Sequence, residues 1–446
     1  MRTGSGNTEA AISHQEKLSE TLTGFFGEAG ASEGLAPESY TMKILVLNSG
    51  SSSQKSALFE LGPESSRDPV PPLWEGSLQW SGEAEELHIR NQTGSEIRRS
   101  SKAGDHRASV AAMLENLWNG PTAALKSPCE INVAGHRIVH GGPKLIKPTL
   151  ITAQVKQAIE EVAAIAPLHN QAGLQGIELI EKLLPNVPQI AVFDTGFHRT
   201  LPTKAFVYPV PYIWYEREGI RRYGFHGINH EYCANRAAQM LGQDISSLKI
   251  VTCHLGNGCS LAAIDSGKSV DTTMGFTPLE GLMMGTRSGS VDPGILIHRQ
   301  RNNSQDSNEL DRALNHESGL LGISGVSGDM REVLKAMRAG NERAQLAFDI
   351  FVHRLQAGIA AMAASLGGID VLVFTAGMGE NSPEVRAAAC EKLGFLGIEL
   401  DSAKNSGARA DAEVSSVPAK TRVLVIRAQE DWSIALACVG LSRRGD

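Results

Sequence analysis

At 446 residues, 41% of them hydrophobic, the chain exceeds what one core usually serves and can fill two. A formal charge of −7 with no basic run makes nucleic acid and anionic membranes poor partners. Cysteines 129, 233, 253, 259, 390 and 438 form no C-x-x-C pair and lie mostly in apolar stretches, which reads as reduced core thiols of a cytoplasmic protein rather than a disulfide framework or zinc site.

The first 41 residues are rich in Gly, Ser and Glu, hold only Phe25-Phe26 as an apolar pair, and lack the basic-then-apolar order of a signal peptide. They are expected to be a disordered leader, with Met42 a candidate start directly before the first strand. Ile44 opens ILVLNSGSSSQKS, an apolar run that delivers the chain to glycine and small hydroxyl or amide residues, then to a second short strand over 56–61. Backbone N–H groups of such a turn can close on a bulky anion with no Cβ in the way. Residues 62–105, with Pro, Ser and charge clusters around short alternating runs, read as hairpins and loops, and a helix is expected over 108–118.

GHRIVHGG follows from Gly135, APLHN from Ala166, VFDTGFH from Val192 and RRYGFHGINH from Arg221. Charged or imidazole residues beside glycine at the end of a short strand suit side chains that crown a sheet. From Ile250, IVTCHLGNGCSLAAIDSGKS repeats the strand, turn, strand order of the first segment, which suggests a duplicated phosphate grip, although the same order also describes a plain hairpin. GFTPLEGLMMGTRSGSVDPG begins at Gly275, and an apolar helix around 358–366 is too short to span a bilayer. VLVFTAGMGENSPEVR from Val371 is a third Gly-rich turn, expected at the adenosine end of a nucleotide whose phosphates face the first two.

Familiar nucleotide motifs are excluded. Gly267-Lys268-Ser269 imitates the end of a P-loop, but Ala262 stands five residues before Gly267 and no helix start follows. No G-x-G-x-x-G opens a helix after a strand, and no G-x-S-x-G elbow is present. Arg137, His169, Asp194, Arg221, Arg222, His226 and Arg287 together could neutralise several negative oxygens. A single arginine serves as readily in a surface ion pair, and Asp194 could cap a following helix; Arg287, between Gly285-Thr286 and Ser288-Gly289, is better placed to reach a ligand. His136/His140 and His226/His230 have the spacing of a metal pair, but neither contains the Glu of H-E-x-x-H, so zinc is not expected.

The motifs NSGSSS, GHRIVHGG, APLHN, FDTGFH, RRYGFHG, HLGNG, GFTPLEGLMMGTRSG and FTAGMGENS, in this order from Met42 almost to the C-terminus, closely resemble the acetate kinase family. That family shares a superfamily with sugar kinases, heat-shock chaperones and actin. The resemblance implies an α/β fold of two duplicated ribonuclease H-like, actin-like ATPase domains, 42–191 completed by 431–446, and 192–430, which close a central cleft on ATP. It also implies reversible, Mg²⁺- or Mn²⁺-dependent transfer of the γ-phosphoryl group of ATP to acetate, and a homodimer.

Carried over by motif, Asp194, Arg287, His226 and Arg137 are the catalytic residues, with His226 and Arg287 stabilising the transition state. Acetate falls to Arg137, Val139, Leu168, Phe225 and Pro278, although the last four could be ordinary core. ATP falls to Asn48, Ser51, Ser53, Lys55, His169, His254, Leu255, Gly256, Asn257 and Gly258 around the phosphates, and to Gly377, Met378, Gly379, Glu380 and Asn381 at the adenosine. Asn48 and Glu430 would hold the metal. The sequence departs from the family pattern at Gln54, where leucine is usual, at Cys259, where serine is common, and at 428–432, where A-Q-E-D-W replaces T-N-E-E-L, so that Asp431 is a second metal candidate.

The chemistry matches this residue set. A carboxylate acceptor is already ionised at neutral pH, so no base is needed, and the obstacle is repulsion between two anions. Arginine forks, an imidazole donor and a divalent metal address that repulsion. Other readings are a propionate or butyrate kinase, a hydroxyl kinase with Asp194 as base, and a non-catalytic ATP-driven clamp.

Overall fold

The computed structural model describes residues 41–442 except 51, 52, 63–67, 83, 165, 166 and 304. The expected leader and Ser51 lie outside the described residues, as do the side chains of Leu168 and His169. Eight strands build a first sheet: β1 (Met42–Ser49), β2 (Ser53–Leu61), β3 (Trp74–Ser81), β4 (Ala84–Asn91), β5 (Glu96–Lys102), β6 (Val133–Ile138), β7 (Thr149–Leu150) and β8 (Gln189–Phe193). Six build a second: β9 (Lys249–Leu255), β10 (Cys259–Asp265), β11 (Lys268–Thr272), β12 (Val371–Thr375), β13 (Ala412–Glu413) and β14 (Arg422–Val425).

The two sheets share one plan. In the order β3-β2-β1-β6-β8 the first three strands are antiparallel and the last three parallel; β11-β10-β9-β12-β14 repeats the pattern. This is the duplicated, actin-like α/β fold that the motifs imply. The expected hairpins over 62–105 are β3 to β5, a meander that extends the first sheet, and the expected helix runs over His106–Glu115.

β1 reads as a continuous apolar run because both its faces are covered. Leu45 and Leu47 point into a core with Leu58, Trp74 and Leu78, whereas Ile44 and Val46 pack against Trp432 and Ile434 of the C-terminal helix Glu430–Ser442. The last element of the chain thus completes the first sheet. In the second sheet Val251, Cys253 and Leu255 face a core with Phe351, Leu355 and Ile359 of the helix Glu342–Leu366. That helix is much longer than expected, 25 residues from its Asn341 cap to Gly367 in the left-handed region, and by length and composition alone it could cross a membrane. Alanine and charged residues between its apolar positions obscured the period. Of the Gly267-Lys268-Ser269 sequence, Gly267 closes a tight turn with Ser266, both in the left-handed region, and Lys268 and Ser269 open β11.

Candidate active site

The hairpin turns β1 to β2 and β9 to β10 follow strands whose ends lie near one another: Asn48 bonds Glu430, and the charge of that same acid acts on His254. The third Gly-rich segment is different, because β12 passes directly into a short helix, Ala376–Asn381. Gly377 faces open space, with nothing within 4 Å of where a Cβ would stand.

At the floor of the cleft β6 and β8 run parallel and bring Arg137 beside Asp194. Asp194 is fully buried, and its Oδ2 accepts from Arg137 Nη2 at 2.7 Å and from the backbone N–H of His226 at 3.0 Å. Asp194 is therefore not the cap of the turn Gly196–Thr200, which takes no side-chain cap. It fixes His226, which sits in the left-handed region at φ 56° at the start of the helix Gly227–Leu241. Burial opposes the charge on Arg137, but the carboxylates of Asp194, Glu430 and Asp431 outweigh it and keep the guanidinium firmly protonated.

The imidazoles of His226 and His254 stack with centroids 3.9 Å apart. Each has its Nδ1 engaged from behind: His226 with the Ser260 hydroxyl at 2.8 Å, and His254 with the Asn229 amide, also at 2.8 Å. Burial pushes both toward the neutral form; at His226 the neighbouring His254, Arg137, His230 and Arg287 add to this, whereas at His254 Glu430 and Asp194 oppose it. Opposite His226 Nε2 stands Gly258, where a Cβ would lie 3.4 Å from that nitrogen and 3.5 Å from Arg287 Nη1. Only a glycine leaves this corner open for a ligand oxygen. Arg287 Nη1 donates to the carbonyl of Pro278 at 3.3 Å, and burial and Arg137 both weigh against its charge.

Across the cleft, Asn48 Nδ2 donates to Glu430 Oε2 at 3.1 Å and to Asp431 Oδ1 at 2.9 Å. Burial raises both acids. At Glu430 the charge of Arg137 above all, with the Asn48 bond and Lys55, prevails and lowers it, whereas Asp431, beside Glu430, stays raised. The bonds from Asn48 leave its own amide oxygen and one oxygen on each carboxylate as hard donors, at a helix N-terminus flanked by Lys55.

The family model that matches is that of the acetokinase family, over residues 43–436. The chain belongs to that family. It is 55% identical over 406 residues to the acetate kinase of Trichormus variabilis, an alignment that covers 90% of this chain and all of that one. Among solved structures it resembles acetate kinase from Porphyromonas gingivalis, with 41% identity and a TM-score of 0.80, over 89% of this chain and 98% of that one. A propionate kinase from Francisella tularensis is similar at 37% identity and a TM-score of 0.81, with the same coverage.

Seen as an acetokinase, the chain brings together Arg137, Asp194, His226, His254 and Arg287, with Gly258 between His226 and Arg287 and Gly256 beside His254. Val139, just past β6, alternates with Ile138: Ile138 joins a core with Phe193, and Val139 packs with Phe225 next to Arg137. Arg221 and Arg222 depart from expectation. The Arg222 fork donates to the carbonyls of Thr272, Thr273 and Met274 and to Glu280, so it tethers the 273–280 loop instead of a substrate. Arg221 stacks on Phe206 at 3.6 Å. The loop that Arg222 tethers carries Pro278, so the part of Arg222 is indirect.

Other residues escaped the sequence reading. Arg386 is buried and donates to the carbonyls of Gly379 and Glu380 at 2.9 Å and to Asn405 Oδ1 at 2.8 Å, closing the end of the Ala376–Asn381 helix. Glu380 in turn accepts from the backbone of Ala428, which leads into Glu430. Cys259 Sγ donates to the Gly256 carbonyl at 3.4 Å and steadies the second turn. Arg386 and Glu380 work through Asn405 and Ala428, 19 and 48 positions along the chain, so the local sequence does not mark them as supports.

Proposed function

We propose that this acetokinase catalyses reversible transfer of the γ-phosphoryl group of ATP to acetate, giving acetyl phosphate and ADP by direct in-line displacement. The observation that carries this reading is the corner at Gly258, where a neutral imidazole and a guanidinium converge on one open position while a second, ion-paired guanidinium stands nearby. An acetate oxygen attacks the γ-phosphorus as the bond to the bridging oxygen breaks, and the leaving electron pair stays on ADP. Arg137 binds the carboxylate bidentately, with Val139, Leu168, Phe225 and Pro278 around the methyl group. Arg287 and the Nε2–H of His226 meet the equatorial oxygens where charge develops. Asp194 orients Arg137 and His226 and takes no proton.

Asn48, Ser51, Ser53, Lys55, His169 and the residues from His254 to Gly258 contact the ATP phosphates, and Gly377 to Asn381 border the adenosine. Mg²⁺ or Mn²⁺ fits the oxygen donors of Asn48 and Glu430, with Asp431 beside them, and when bound would screen the triphosphate charge. Two carboxylates suit a metal that arrives with the nucleotide and shares its phosphates. We also infer two domains divided near residue 191, a reducing cytoplasmic setting consistent with the free thiols, and a homodimer, supported by exposed Tyr212, Trp214, Ile295 and Ile297.

Hydroxylamine trapping tests the reaction. With ATP, Mg²⁺ and acetate, acetohydroxamate should accumulate in step with ADP. ADP formation with a sugar or glycerol and no hydroxamate from any short acid would overturn the proposal. The likeness to a propionate kinase supports a second reading, so propionate and butyrate belong in the same assay.

A further inference from the structure

We propose that Thr252, His230 and Ser260 form a directional hydrogen-bond chain that sets the tautomer of His226, so that its Nε2 carries the hydrogen facing the cleft. The inference rests on the reading of His226 as a donor to the phosphoryl group. Thr252 Oγ1 lies 2.6 Å from His230 Nδ1, His230 Nε2 lies 2.8 Å from Ser260 Oγ, and Ser260 Oγ lies 2.8 Å from His226 Nδ1. Thr252, His230 and Ser260 are fully buried, so water does not complete their bonding.

The chain has two possible directions. In one, the Thr252 hydroxyl donates to His230 Nδ1, His230 Nε2–H donates to Ser260, and the Ser260 hydroxyl donates to His226 Nδ1. That leaves the hydrogen of neutral His226 on Nε2, at the corner by Gly258. In the other, every arrow reverses, His226 turns a bare lone pair toward an incoming phosphoryl oxygen, and the Thr252 hydroxyl hydrogen loses its acceptor. Among the described residues Thr252 Oγ1 has no side-chain or backbone partner other than His230. A buried hydroxyl hydrogen without an acceptor bears its full desolvation cost, so the first direction prevails.

A doubly protonated His226 would break the same chain, since Ser260 would then have to accept from both imidazoles. Burial and the cations of Arg137 and Arg287 already disfavour it. The stacked His254 has the same polarity, because the Asn229 amide occupies its Nδ1 and leaves Nε2–H on the cleft side, where Gly256 stands 3.4 Å away by its would-be Cβ. The cleft is thus met by two parallel imidazole N–H groups that need no reorganisation during transfer.

Thr252, His230 and Ser260 are positioning residues. The test combines ¹⁵N NMR of histidine-labelled protein without substrate, which reports tautomers, with steady-state kinetics. Signals of His226 are assigned by their loss in His226→Gln. Wild-type protein should show Nε2–H at His226; Ser260→Ala should yield a tautomer mixture and lower kcat on the order of tenfold with little change in the KM for acetate. Thr252→Val should act in the same direction, roughly fivefold, and Thr252→Ser should restore both readouts. If Thr252→Val fails to fold, the wild-type spectrum and Ser260→Ala still decide. An Nδ1–H His226 in the wild type, or an unchanged tautomer in Ser260→Ala, overturns the chain. A shifted tautomer with unchanged kcat overturns instead the donor role of His226 in transfer.

Discussion

Asp194→Ala strips Arg137 of its nearest counter-charge in a setting where the arginine side chain is only 13% exposed and the carboxylate not at all. Removing one partner of a buried ion pair typically destabilises by about 3–5 kcal/mol. Glu430 and Asp431 also act on Arg137 and soften the loss, so the expected value lies near the lower end, about 3 kcal/mol. For a domain of roughly 200 residues that corresponds to a fall in Tm of about 6–12 °C. Asp194→Asn retains the shape and one acceptor oxygen but not the charge, and should fall between this variant and the wild type. In both variants kcat drops, because Arg137 and the backbone of His226 lose the group that orients them. Scanning calorimetry and the hydroxamate assay read the two effects separately. A base role for Asp194 implies the opposite pattern, with turnover abolished by Asn at unchanged Tm. An Asp194→Ala protein that melts within about a degree of the wild type would refute the reasoning.

Arg287→Ala should lower kcat on the order of 10² or more while nucleotide binding, followed by calorimetric titration, changes little; Arg287→Lys should recover only part, because the charge returns without the fork. Val139→Ala deletes two methyl groups, about 1.6 kcal/mol of packing, and should raise kcat/KM for propionate or butyrate relative to acetate; a lower Tm with an unchanged ratio would make Val139 core alone. Gln54 joins Ser49 Oγ at 2.6 Å to the Lys55 carbonyl at 2.7 Å across the base of the first turn, so Gln54→Leu should raise the KM for ATP several-fold, and an unchanged KM would show that the turn holds itself. Burial holds His136, His140 and His198 unprotonated down to about pH 4 in the fold, whereas unfolded histidine takes its proton near pH 6.5. Between those values the unfolded chain binds more protons, so stability is complete above pH 6.5 and falls as pH drops toward 4, by up to about 1.4 kcal/mol per pH unit for each histidine. Urea midpoints measured across this window check it, and a flat profile would contradict the burial.

Much of the site was legible because nucleotide grips recur as local patterns. An apolar strand followed by small residues marks β1 and β9, and the family motif already named Arg137 and Val139 together at the end of β6. What escaped depends on tertiary partners. Arg222 looked like a ligand for anions by its neighbours in sequence, yet its fork is consumed by three carbonyls of a loop fifty residues away. Arg386, Ser260 and Thr252 are ordinary letters in a helix and two strands, and only the packed sheets show what they support. The long helix Glu342–Leu366 was underread for the opposite reason, since many small alanines carry little hydrophobic signal although several of them are buried.

The docking of the C-terminal helix against β1 also governs how the enzyme comes into being. Asn48 meets Glu430 across 382 positions of chain, and Ile44 and Val46 are covered by Trp432 and Ile434. A ribosome must therefore release nearly the whole polypeptide before the first strand gains its second cover and the two acids reach the cleft. Until then the opening strand exposes an adhesive apolar face, and contacts so distant in sequence close slowly. A product truncated shortly after β14 would carry every phosphate turn and both arginines, yet would be catalytically silent and prone to aggregate. Activity in such a chain belongs to the finished molecule.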